Sequence, residues 1–395
     1  MSLVKNKESF DTKTWICAIL LLVTSYPMWL WNTPTIVMLL AEFAILFIAI
    51  KNHEFDNMDV WLLLTIVFQF IFFLVYSINS NTNLTGRLFA IVQGCGFISI
   101  YLCKSSFWKE TVECFIRILA VLLGISLIEY VLLSFFGISA PVSYIEECPS
   151  NPGRAYDGYL FNTFTSDDLG LVFLRRFEGF YDEPGVVGNI AMVLLYIGHF
   201  DLKKWYNIVL LLAGIFSFSL VFYIAVCAYF IFAGTNRIRI VFSLILIALI
   251  YLFTDNEVVT QYVFGRIQFE NGYMSGYNRE NYDFENWFNT ISLKEYLIFG
   301  YTPRDKVVYT ASWKWALTLY GVIPFLTYIL LLIKSRFDHI AVKRDRILCL
   351  MLVFFVIVQR PFIHLYFYSF LLVIPFVYFG ASHILLGYDN EKSSC

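Results

Sequence analysis

Apolar runs recur along this chain, and no other feature restricts its fold as severely. They lie at about 14–31, 34–50, 60–78, 86–103, 112–138, 186–200, 206–233, 240–253, 311–333 and 347–386. A membrane-crossing helix needs about 20 mainly apolar residues. The run 206–233 is too long for one crossing and is interrupted at Ser217-Phe218-Ser219. The run 347–386 is interrupted at Gln359-Arg360-Pro361, where proline beside a charge favours a turn. Dividing both runs predicts an all-α, polytopic integral membrane protein with about twelve transmembrane helices. Residues 1–395 then form a single membrane domain. Of the 395 residues, 59% are hydrophobic and 15% charged, more apolar surface than a soluble domain of this length can hide. The net charge of −2 provides no basic field for nucleic acid.

Lysine and arginine placement sets the expected orientation. With the N-terminus inside, the inner loops carry Lys5, Lys7, Lys13, Lys51, Lys104, Lys109, Lys203, Lys204, Arg237, Arg239, Lys334, Arg336, Lys343, Arg344 and Arg346, and the C-terminal tail carries Lys392. Both termini are then cytoplasmic. Two long loops face outward, 139–185 and 254–310. Each mixes glycine and aromatics with charge, which suits re-entrant or amphipathic structure. The first residues lack a signal-peptide cleavage pattern, so the first apolar run is expected to remain as an anchor. Of the eight cysteines, Cys17, Cys95, Cys227 and Cys349 lie in apolar runs and Cys148 lies in the first long loop. No CxxC or CxxxC pair points to a metal, and neither a metal nor a cofactor is expected.

Charge is dense at 174–188, a stretch with two arginines, three carboxylates, a proline and three glycines at the start of an apolar run. Polar groups beside hydrocarbon are costly and often functional. Arg175 and Arg176 sit where positive-inside bias should deplete arginine. A guanidinium forms bidentate hydrogen bonds to phosphate oxygens; the alternative is a pairing with Glu178 or Asp182 that holds the loop. Glu178, Asp182 and Glu183 are candidate general bases, because desolvation makes a carboxylate a better base. Glu183-Pro184-Gly185 reads as a helix start, and Glu183 is the favoured base. In the second loop Arg279 lies among aromatics and is the better phosphate or sugar ligand; Arg266 and Arg304 are further binding candidates. Tyr273, Tyr277 and Trp287 suit stacking on sugar rings or interfacial anchoring. Arg360 and His364 share a face if the helix runs through the break, where Arg360 would meet a pyrophosphate or snorkel to headgroups. Arg87 has the same reading. Glu113 and Arg117 are spaced to pair on one turn. Glu129 is the mid-span acid that a transporter would use, and Glu42 also lies within a run.

There is no P-loop, G-x-S-x-G, H-E-x-x-H or DxD motif. The chain instead resembles the bacterial O-antigen polymerases. Arg176-Phe-Glu-Gly-Phe-Tyr-Asp-Glu-Pro-Gly185 is similar to the family's arginine–glycine–acid–proline motif in the first periplasmic loop. Leu212-Ala-Gly-Ile-Phe-Ser-Phe-Ser219 resembles the helix break after it. Arg279, Phe299-Gly-Tyr, Ser312 and Tyr320-Gly-Val-Ile resemble the second periplasmic loop running into the next span. The related O-antigen ligases usually place a histidine in that loop, and this chain has none there.

The resemblance implies an inner-membrane glycosyltransferase that joins undecaprenyl-diphosphate-linked oligosaccharide repeat units without a metal. Arg176 and Arg279, with Arg360, would bind the leaving pyrophosphate, and Glu183 or a neighbour would take the acceptor proton. Implied partners are the lipid-linked donor and acceptor, membrane lipids and a chain-length regulator protein, with no nucleic acid. The rival readings are an O-antigen ligase acting on lipid A–core and a lipid-linked oligosaccharide flippase or other transporter.

Overall fold

The computed structural model describes residues 10–33, 36–55, 59–79, 84–137, 142–145, 155–165, 175–233, 269–270, 273–274, 282–301 and 313–392. The protein is mostly helical with few strands. The helices are α1 (Thr12–Thr24), α2 (Ile36–Lys51), α3 (Val60–Asn79), α4 (Leu84–Gly96), α5 (Ile98–Leu102), α6 (Ser105–Phe136), α7 (Pro184–Ile197), α8 (Trp205–Phe216) and α9 (Leu220–Ala233). After these come α10 (Tyr282–Thr290), α11 (Leu293–Tyr296), α12 (Trp313–Tyr320), α13 (Val322–Phe337), α14 (Lys343–Gln359) and α15 (Tyr366–Lys392).

Among the described residues, α6 alone is long and apolar enough to cross a membrane as one helix. The pair α12 and α13 would make another, bent by 105°. Several other helices are apolar but run for only 10–17 residues. Short apolar helices thus stand where the runs predict full spans. The run 86–103 is divided at Phe97, and 206–233 is divided at Ser217–Ser219. The run 240–253 lies outside the described residues.

The break at Ser217–Ser219 reverses the chain. Asn207, near the start of α8, donates to Asp201 O just beyond the end of α7 (2.9 Å), while Phe177 N–H, ahead of α7, donates to Phe216 O at the end of α8 (2.9 Å). α9 then runs back beside α7: Tyr196 donates to Ala225 O (2.6 Å), and its ring meets Tyr229. Phe218 has φ 47°, a backbone state that a bulky side chain seldom adopts. Every residue of α7 is buried, so this helix is the axis around which α8, α9, α14 and α15 pack. An all-round apolar helix suits that central place.

The described part of the first long loop, ahead of α7, includes a small sheet. It is three-stranded and antiparallel, with β1 (Ser143–Ile145), β2 (Tyr156–Gly158) and β3 (Thr163–Thr165) in the order β1-β2-β3. Aromatic and β-branched residues favour this pairing. Glu129 of α6 anchors the sheet. Its carboxylate accepts the N–H groups of Leu160 (3.1 Å) and Phe161 (2.8 Å) and the Asn162 amide (2.8 Å). The acid that a transporter would use is therefore engaged in fixing the β2–β3 turn. The described part of the second long loop holds β4 (Phe269–Glu270) paired with β5 (Tyr273–Met274), followed by α10 and α11.

The bundle has two polar ends with an apolar core between them. One end is basic. Lys13 pairs with Glu54 at 2.6 Å, Lys104 lies 4.0 Å from the same carboxylate, and Lys334 pairs with Asp338. Arg336 donates to Tyr101 O. Arg117 lies over the Phe10 ring and Glu113 accepts from Tyr378. At the opposite end lie the three-stranded sheet, Arg175, Arg176 and the α14–α15 break. Helix α7 joins the two ends, and its close fit depends on Gly188. A Cβ there would sit 2.6 Å from Ser219 Cβ. Gly188→Ala should destabilise the protein by about 1–3 kcal/mol through overpacking. Adding Ser219→Gly should restore part of the loss, read as the melting temperature in detergent.

Candidate active site

The site grows out of the start of α7. Glu183 is the N-cap, with extended backbone (φ −153°, ψ 145°), and Pro184 takes the first helical position. Proline suits that position because its missing N–H would have no helical partner. The Glu183 side chain does not cap its own helix. It reaches instead to Arg360, and the two form an ion pair across 177 positions of sequence. Arg360 ends α14 as its C-cap. Pro361 follows, and a residue before proline is steered out of helical conformation. Arg360 is 4% exposed. Burial works against its charge, and Glu183, with Tyr368, Asp182 and Tyr156, more than offsets this and raises its pKa.

Neighbouring residues hold the pair in place. Gln359 Nε2 donates to Gly185 O (2.7 Å) in the first turn of α7 and to Ser219 Oγ (3.0 Å) in the α8–α9 turn. Arg176 grips the same turn from the other side, with Nε 3.3 Å from Ser217 O and Nη2 3.4 Å from Phe218 O. A cation suits these carbonyls because they close the C-terminal end of α8. Arg176 and Arg360 thus flank one three-residue turn. Glu178 is buried and accepts from Thr165 Oγ1 (2.8 Å) of β3. Asp182 is also buried. Tyr181 meets Ser25 Oγ through its hydroxyl (3.0 Å), and burial raises its pKa. Arg175 diverges: its guanidinium lies 5.2 Å from the Phe164 ring centre, a cation–π arrangement.

The structure therefore gathers Arg176, Glu178, Asp182, Glu183 and Arg360 around the start of α7. Arg360 has an acid for a partner, supplied by a distant segment. The shared helical face of Arg360 and His364 is not observed, because α14 stops at Gln359 and α15 begins at Tyr366. His364 instead reaches Tyr320, with Nδ1 and the hydroxyl oxygen 2.5 Å apart. That contact links the α14–α15 break to the bend between α12 and α13. Close packing lowers the His364 pKa to about 3, so the ring is neutral. Arg266, Arg279 and Arg304 lie outside the described residues, as does Cys148, and Arg87 lies in α4 with its side chain outside them. Among the described residues no group of three or more His, Cys, Asp or Glu is arranged to hold a metal ion.

Two residues escaped the sequence reading. Gln359 was noted only as part of a break, although it is the contact that joins three segments. Asn189 is the lone side-chain amide in the run 186–200, and an amide within an apolar run is the available signal. No family model, curated protein or solved structure matches the chain.

Two outcomes test this geometry. Removing one partner of a buried ion pair strands the other charge, at a cost of about 3–5 kcal/mol. Glu183→Gln and Arg360→Met should each lower stability by amounts of that order, and the double variant should lose less than the two combined, as a double-mutant cycle on melting would show. The second outcome concerns His364. Between its folded pKa of about 3 and an unfolded value near 6.5, only the unfolded chain binds the proton. Stability contributed by the neutral ring is then complete above about pH 6.5 and falls as pH drops below it. Wild type should lose about 2 kcal/mol more than His364→Gln between pH 7.5 and 5.

Proposed function

We propose that this protein is a polytopic inner-membrane glycosyltransferase that polymerises undecaprenyl-diphosphate-linked oligosaccharides, an O-antigen polymerase. The observation that carries the reading is the convergence of Arg176, Arg360 and Glu183 at the start of a fully buried helix within an apolar bundle. Two guanidinium groups beside a helix N-terminus suit a diphosphate. A carboxylate within reach of the same point suits proton removal. The basic far end of the bundle suits a cytoplasmic face, which supports a periplasmic setting for the site. About twelve membrane crossings remain part of this proposal, with short and broken helices compensated by packing.

The reaction follows from the groups present. The acceptor sugar's hydroxyl oxygen attacks the anomeric carbon of the donor glycan. The bond from that carbon to the lipid diphosphate breaks, and the electron pair leaves with the diphosphate oxygen. Arg360 and Arg176 offset the charge that develops there, and Arg279 would join them from the second loop. As Arg360 turns to the diphosphate it releases Glu183, which takes the proton from the attacking hydroxyl. Arg175, Glu178, Asp182, Arg266, Arg304, His364 and Arg87 remain substrate-binding candidates.

Purified protein in lipid nanodiscs, supplied with lipid-linked repeat units, should generate a ladder of longer glycans. Glycan transfer only when lipid A–core is added would favour a ligase instead. Movement of lipid-linked glycan across vesicles without elongation would favour a transporter. Arg176→Lys should lower polymer yield by about 100-fold, because lysine lacks the bidentate fork. Its melting temperature, measured alongside, separates lost chemistry from a lost grip on the α8–α9 turn.

A further inference from the structure

Asn189 plays no part in the reaction just described. It is fully buried, and among the described residues neither its amide oxygen nor its amide nitrogen has a hydrogen-bond partner. Buried polar groups are nearly always satisfied, so an unmet amide calls for an explanation. Its position supplies one. In a helix the backbone N–H of Asn189 bonds to Gly185 O, and that same oxygen accepts Gln359 Nε2. Gln359 therefore lies against the turn that carries Asn189, and Arg360 is the next residue in the chain. Helical side chains lean toward the helix N-terminus. Asn189 leans over Gly185, its neighbour one turn earlier, which has no side chain. Arg360 Nε is likewise buried without a partner among the described residues.

We propose that Asn189 hydrogen-bonds a hydroxyl of the sugar ring attached to the diphosphate, while Arg360 takes the phosphate oxygens. This rests on the reading that the site binds a lipid-linked diphosphate. An amide both donates and accepts, as a hydroxyl does, so it suits a neutral sugar. A charged ligand group is served better by the neighbouring guanidinium groups. The side chain is unmet in the free protein because its partner arrives with the substrate.

The test uses the full chain in lipid nanodiscs and two probes. One is undecaprenyl diphosphate; the other is the same lipid carrying a single hexose, glucose and galactose in turn. Wild type should bind at least one sugar-bearing lipid about tenfold more tightly than the bare lipid, in line with one good hydrogen bond to a buried group. Asn189→Leu should abolish that preference, retain bare-lipid binding and melt no lower than wild type, since an apolar residue replaces an unmet amide. Asn189→Ala should show the same loss of preference. Retention of the preference in both variants, or no preference in wild type, overturns the proposal. A lower melting temperature with loss of bare-lipid binding assigns Asn189 a structural role and also overturns it. Failure of wild type to bind the bare lipid overturns instead the diphosphate reading on which the proposal stands.

Discussion

A guanidinium almost wholly removed from solvent must have a charged partner, and the arrangement around α7 follows from meeting that need. Arg360 is 4% exposed and finds its partner in Glu183. The pair fastens the end of α14 to the start of α7. Buried pairs of this kind rarely add net stability over an apolar replacement, but losing one partner is costly. The contact therefore specifies which helix ends meet. Gln359 extends that specification by holding Gly185 and Ser219 at once, so three segments distant in sequence share one polar junction inside an apolar bundle.

The backbone also departs from regular helix at this junction. Phe218 adopts a positive φ in the α8–α9 turn, and Arg176 donates to that turn's carbonyls. Strain of this kind persists only where the surroundings over-determine it, and it clusters at functional sites. A cation on one side of the turn and a hydrogen-bonded amide on the other supply that constraint. Arg360 is thereby held at the start of α7 and Arg176 at the turn that closes α8.

The first long loop shows how acids within helices can be misread from sequence. Glu129 stands alone in a long apolar run, as a transport carboxylate would. Its oxygens are instead engaged by two backbone N–H groups and an amide at the β2–β3 turn. A carboxylate that accepts several N–H bonds is a structural anchor, and here it fixes the β2–β3 turn.

Much of this could be read before any tertiary contact was known. Apolar runs announced helices, Ser217-Phe218-Ser219 and Gln359-Arg360-Pro361 announced breaks, and Glu183-Pro184 announced a helix start. Each is a local effect of backbone geometry: proline excludes helix beside it, and polar residues interrupt an apolar face. The strands at 143–165 were not legible, since three-residue strands have too few alternations to register a period. The partnership of Arg360 with Glu183, the grip of Arg176 on the turn and the contact of His364 with Tyr320 were beyond reach for another reason. They join segments as far apart as 177 positions, and which acid meets which base depends on how the helices stack. Sequence alone determined that this chain would carry charge at the ends of apolar helices. Only the tertiary structure decided which of those charges meet, because desolvation requires a buried charge to have a partner without naming it.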